Sequence, residues 1–194
     1  MKKSIFALVL ALVLCVSTCA LGEATFDFTA EQFVEGYSKF NADVMQKQVI
    51  WYDPVEAEDM ICNLGSAEGM NDIVVYNNIG DSACIGMYTE CVIGMNDSDM
   101  TAKAQALGMT VAAIPFATRY LETGYDALAL QDEISEIESA CQELVQKVFS
   151  SDAITAAMSA PYTETAVIGG HNADLTLSMS LSDMTMTVSF TYIP

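Results

Sequence analysis

The chain has 194 residues, with 26 Asp or Glu against seven Lys or Arg and one His, for a formal net charge of −19. Such a charge repels phosphate backbones and anionic lipid surfaces, so nucleic-acid binding and peripheral attachment to those membranes are not expected. With 52% hydrophobic residues, a chain of this length can bury one sizeable core.

The chain opens MKKSIFALVLALVLCVSTCALGEA, the pattern of a secretory signal peptide. Lys2 and Lys3 supply a positive start. Ser4 to Val16 is apolar but short for a membrane span, and small residues follow it. Cleavage is expected after Ala24, with Ala20 as the second site. A lipid anchor needs a small residue before its cysteine, whereas Leu14 precedes Cys15 and Thr18 precedes Cys19. An uncleaved N-terminal anchor is a further alternative. The expected organisation is a leader over 1–24 and one globular domain over 25–194, exported from the cytoplasm. That domain keeps five basic residues, Lys39, Lys47, Lys103, Arg119 and Lys147, and loses one acid, Glu23.

The first helix is expected over about 30–45. Thr29 is a good N-cap and Gln32, three residues on, completes a capping box. Phe28 and Phe33 take the two places of a hydrophobic staple. Phe33, Tyr37, Phe40 and Val44 then fall 4, 3 and 4 apart, one apolar stripe.

Short segments rich in β-branched, aromatic or sulfur residues follow: 49–53, 59–64, 72–77 and 83–95. Asp53-Pro54, GSAEGMN and NNIGDS separate them as turns, the last a hairpin turn at 78–81. An antiparallel meander is expected. A second helix, about 98–114, is rich in Ala and Gly. Asp97, Ser98 and Asp99 are placed to cap its start, and Pro115 is expected to end or kink it. In the third helix, Leu130, Ile134, Ile137, Cys141, Leu144 and Val148 form a stripe. Asp132, Glu133, Glu136 and Glu143 lie largely off it.

The last stretch, ADLTLSMSLSDMTMTVSFTY, alternates apolar residues with Ser and Thr. If Ser182-Asp183 is a two-residue turn, Leu181 faces Met184, Met179 faces Met186, Leu177 faces Val188 and Leu175 faces Phe190. The other face then pairs Ser180 with Thr185, Ser178 with Thr187 and Thr176 with Ser189. The apolar set is a core face, and the hydroxyl set is an uncharged outer face. Strands cluster in runs rather than alternating with helices. The expected fold is therefore α+β: a mostly antiparallel sheet with about three helices on one face, in the order helix, meander, helix, helix, meander.

Chemistry-bearing residues are few. His171 is the one histidine, so any Ser-His-Asp or Cys-His site must use it. No GxSxG elbow accompanies it, and a turn histidine is the simpler reading. Four cysteines follow the leader: Cys62, Cys84, Cys91 and Cys141. They permit three pairings, none of them a CxxC, and buried thiols serve equally well. Asp97 and Asp99 resemble the start of a calcium loop, but Ala102 stands where that loop needs Gly. Met179, Met184 and Met186 would offer three thioethers to Cu(I), or fill the core. Trp51 and Tyr52 would stack on a sugar ring, or anchor the core. The acids of EAEDM (56–60) read as a solvated loop.

No catalytic, cofactor-binding or metal residue is assigned. The expected function is a non-catalytic, exported module binding an extracellular protein or a small molecule, without a membrane-spanning segment in the mature chain. The alternatives are a secreted hydrolase using carboxylates or His171, and a copper binder through its methionines.

Overall fold

The computed structural model describes residues 24–194. All of the expected leader except Ala24 lies outside the described residues. Helix α1 (Ala30–Asp43) starts as the capping box requires: Thr29 Oγ1 accepts from the Gln32 N–H, and Gln32 Oε1 accepts from the Thr29 N–H. The Phe28 and Phe33 rings stack with centroids 6.0 Å apart, completing the staple. Phe33, Tyr37 and Phe40 are buried as their spacing demands. Val44 is not. It is the C-cap and is exposed, because the chain reverses at Gln46, whose φ is 53°, and the Lys47 N–H returns to the Asn41 carbonyl.

The first meander comprises β1 (Val49–Trp51), β2 (Val55–Ala57), β3 (Met60–Ala67), β4 (Ile73–Asn78) and β5 (Cys84–Gly94). β1 and β2 lie end to end along β3, pairing Trp51 with Gly65 and Val55 with Cys62. Asp53-Pro54 separates them, since proline offers the ladder no N–H. The turn at 78–81 forms as expected, with the Asp81 N–H on the Asn78 carbonyl. Pairing slips by one residue after Tyr76 opposite Gly86, a bulge on β5. The extra residue reverses side-chain parity there. Cys84, Met87, Cys91 and Ile93 thus face the helices, whereas Ile85 and Tyr88 join Cys62, Leu64, Val74 and Tyr76 in a small second cluster.

Helix α2 (Met100–Glu122) does not stop at Pro115; it continues through it for two turns. Proline removes the N–H that the Val111 carbonyl would accept, a loss that ends many exposed helices. Here the helix packs against α1, α3 and β5, and Val111, Ala113, Ile114, Pro115, Ala117 and Thr118 are all buried. Burial on several sides offsets the broken bond. The expected acidic cap also differs: Asp99 makes no side-chain cap bond. Asp97 instead accepts from the Gly94 N–H and from Lys103.

Helix α3 (Ala127–Val148) buries Leu130, Ile137, Cys141, Leu144 and Val148, the stripe read from spacing, with Ile134 half-buried. A short helix, α4 (Ser151–Ala157), follows that the spacing did not reveal. Ser150 caps it through the Ala153 N–H. The second meander is β6 (Tyr162–Ile168), β7 (His171–Ser180) and β8 (Thr185–Ile193).

The last strands of the two meanders pair antiparallel, Cys91 opposite Val188, giving one sheet of order β1-β3-β4-β5-β8-β7-β6 with β2 beside β3. The fold is α+β with a mostly antiparallel sheet, its helices packed on one face. The β7–β8 register is as expected from Leu175 opposite Phe190 to Ser180 opposite Thr185. The turn is longer than two residues. Leu181 and Met184 do not pair, and Met184, at φ 53°, lies in the turn. The hydroxyl residues occupy the sheet face away from the main core, where Thr163 and Thr176 hydroxyls meet at 2.8 Å across β6 and β7.

Candidate functional site

Two concavities on the helical side bring unlike chemistry together. The first is a groove of 580 Å³ between α2 and α3, closed at one end by Phe40 of α1 and by Met45 just beyond that helix. α2 contributes Met109, Ala112 and Phe116, spaced so that one face of the helix forms a wall. α3 contributes Val145 and the amide side chains of Gln142 and Gln146 along the opposite rim. The floor includes Cys141, which is buried. Burial pushes the Cys141 thiol up to about 12, with the nearby Glu138 carboxylate adding to the effect. That thiol stays protonated at neutral pH and is a poor nucleophile.

Glycine at position 108 opens the mouth. It is exposed in mid-helix, and a Cβ built there meets nothing within 4 Å. Packing therefore does not require this glycine, although the helix forgoes about 1 kcal/mol by having it in place of alanine.

The second concavity, 560 Å³, lies where the C-terminal end of α2 meets the β6–β7 turn. Its lining includes Asp27, Gln32, Arg119, Glu122 and His171. Its charges are tied to one another. Arg119 makes two parallel 2.7 Å bonds to Glu133 and a 2.5 Å bond to Glu122. The other Glu122 oxygen lies 2.7 Å from His171 Nε2. The His171 ring packs on Phe26 at 4.7 Å and edge-on against Tyr192 at 5.6 Å.

Burial works to raise the Glu122 carboxyl, but its bonds to His171 and Arg119 outweigh that and hold it below the ordinary value. Arg119 likewise holds Glu133 low. The turn must be glycine at 169: φ is +59°, and a Cβ there would lie 3.1 Å from Arg119 Cγ.

His171 is thus not a free turn histidine. It starts β7 and is oriented by a carboxylate, as a general base often is. No Ser, Thr, Cys or Lys lines the cleft beside it; its carboxylates are Asp27 and Glu122, and Glu122 is held by Arg119 and His171. The carboxylate partner was not legible, since Glu122 is 49 residues away in sequence.

The other candidates separate. Trp51 donates from Nε1 to Ser38 Oγ at 2.8 Å and covers Gly65, an anchoring role, while Tyr52 is exposed. Met179 and Met186 pair across β7 and β8 and pack against the core, but Met184 sits in the turn, so the three thioethers do not share one face. Asp97 is spent on Lys103 at 2.5 Å. All four cysteines are buried and free, and burial pushes Cys62 up to about 11 and Cys84 to about 12.

Among the described residues there is no group of three or more His, Cys, Asp or Glu that would hold a metal ion, and no helix long and apolar enough to cross a membrane. Comparison with protein-family models, with curated proteins and with solved structures found no match.

Proposed function

We propose that this chain is an exported binding module that takes a small apolar ligand in the groove between α2 and α3. The groove carries the reading. It is apolar along its walls and floor, has a few polar groups at its rim, and its 580 Å³ falls among volumes usual for small-molecule sites. Export rests on the leader pattern of residues 1–24. The ion-pair node at His171 serves as a clamp between α2, α3 and the β6–β7 turn. Glu122, Arg119 and His171 satisfy one another, which supports a structural role for the node and favours binding over the hydrolytic alternative.

The test is titration of the purified protein with a neutral, environment-sensitive apolar dye. Saturable fluorescence enhancement at one dye per chain is expected, and displacement of that dye by extracts of the surrounding medium would then lead to the ligand. Fluorescence rising without saturation, or no enhancement, would overturn the reading. Mass spectrometry of the secreted chain tests export, with Thr25 expected as its first residue.

A further inference from the structure

The groove has a charge asymmetry that narrows what it accepts. Of the thirteen residues lining it, one is charged, Glu138, and none is basic. Glu138 is exposed on α3 and makes no ion pair among the described residues. It therefore differs from Glu122, Glu133 and Glu143, each of which holds a cation of the protein itself. Beside it on the rim, Gln142 and Gln146 offer amide oxygens as further acceptors.

We propose that the groove selects small amphiphiles with a cationic head, an alkyl or aryl ammonium whose apolar body lies between α2 and α3 and whose head meets Glu138. This rests on the groove being the ligand site. Three observations support the ligand class. The walls supply apolar surface from Phe40, Met109, Phe116 and Val145. The rim supplies an unspent carboxylate and acceptor amides rather than donors with positive charge. Residues outside the leader carry five basic groups against 25 acids, so the surrounding field attracts cations and repels fatty carboxylates or sulfates.

Size decides between a small ligand and a docked helix. The α2 wall runs from Gly108 to Phe116, roughly 12 Å at the helical rise. That length matches a chain of modest length or a pair of rings. A protein partner needs about 800 Å² on each side for a stable interface, more than a trench two helical turns long presents.

Isothermal titration of the purified protein with three probes of equal chain length, each kept below micelle formation, tests the proposal. They are decylammonium, decyl maltoside and decyl sulfate. The ammonium is expected to bind at one per chain, roughly two- to fivefold more tightly than the neutral maltoside, as an ion pair to an exposed carboxylate allows. The sulfate is expected to bind most weakly.

Glu138→Gln should bring the ammonium down to the affinity of the maltoside and leave the maltoside unchanged. Gly108→Leu should remove binding of both. Because a Cβ at 108 meets open space, this variant is expected to melt at or above the wild-type temperature, so lost binding cannot be lost folding. Equal affinity for ammonium and maltoside, or a preference surviving Glu138→Gln, would overturn the charge selection while leaving the apolar groove as a site. Maltoside binding untouched by Gly108→Leu would overturn the groove itself, and with it the reading of function. Ammonium binding that survives both substitutions would be adsorption to the acidic surface and would overturn both.

Discussion

Alanine at Gly169 is the sharpest test of the clamp that joins α2 to the second meander. Gly169 has φ +59° and Gly170 has φ +88°. Forcing an L-residue into this left-handed region costs about 1–2 kcal/mol. Gly169→Ala carries a second cost. Its Cβ would lie 3.1 Å from Arg119 Cγ, 3.2 Å from Arg119 Cδ and 3.4 Å from the Tyr192 hydroxyl. Tyr192 cannot yield, because it is buried and donates to the Ile168 carbonyl at 2.6 Å. The Arg119 stem must move, and its guanidinium is held by Glu133 and Glu122. The Arg119 side chain is 26% exposed, so solvent screens part of what is lost, leaving about 0.5–1 kcal/mol.

Gly170→Ala meets nothing within 4 Å and pays the backbone cost alone. The entropy that alanine removes from the unfolded chain is common to both variants and cancels in the comparison. Gly169→Ala should therefore be the less stable by about 1 kcal/mol, or roughly 2–4 °C in Tm for a domain of this size. Urea and thermal melts followed by circular dichroism measure the difference. Equal losses in the two variants would refute the close approach of Arg119 to the turn.

Further outcomes follow from other contacts. Gly65→Ala would bring a Cβ within 2.7–2.9 Å of the Trp51 ring; overpacking of this kind costs about 1–3 kcal/mol. Since Trp51 is the one tryptophan, its fluorescence should shift in the same variant. An unshifted spectrum would count against the packing described.

Acid stability depends on Glu122 and Glu133, whose folded carboxyls titrate below their ordinary value. Their contribution is present above about pH 4.3, the unfolded value, and is lost as pH falls through the folded one. Arg119→Gln should flatten the stability–pH slope on the acid side, measured by urea midpoints at stepped pH; a slope unchanged from wild type would argue against the node. The thiols of Cys62, Cys84, Cys91 and Cys141 are buried, and at mildly alkaline pH they should resist a thiol reagent until the chain is unfolded. Rapid labelling of any of them in the folded protein would contradict their burial.

What could be read directly from the sequence was whatever short-range periodicity and local bonding determine. The capping box of Thr29 and Gln32, the stripe from Leu130 to Val148 and the alternation of β7 and β8 each involve neighbours within one element or one hairpin. Their outcome depends little on the rest of the chain. The α+β class followed from the order of such elements.

The tertiary structure decided what distant segments settle between them. Pro115 stays inside α2 because three elements pack around the helix. The β5 bulge brings Cys84 to the helix side and turns Ile85 away from it, a change no regular alternation encodes. β5 pairs with β8 across nearly a hundred residues, His171 finds Glu122, and the groove exists because Gly108 and Met109 come to lie beside Val145 and Gln146. Each of these depends on the free energy of packing whole elements together, and a single segment carries only its own share of that sum.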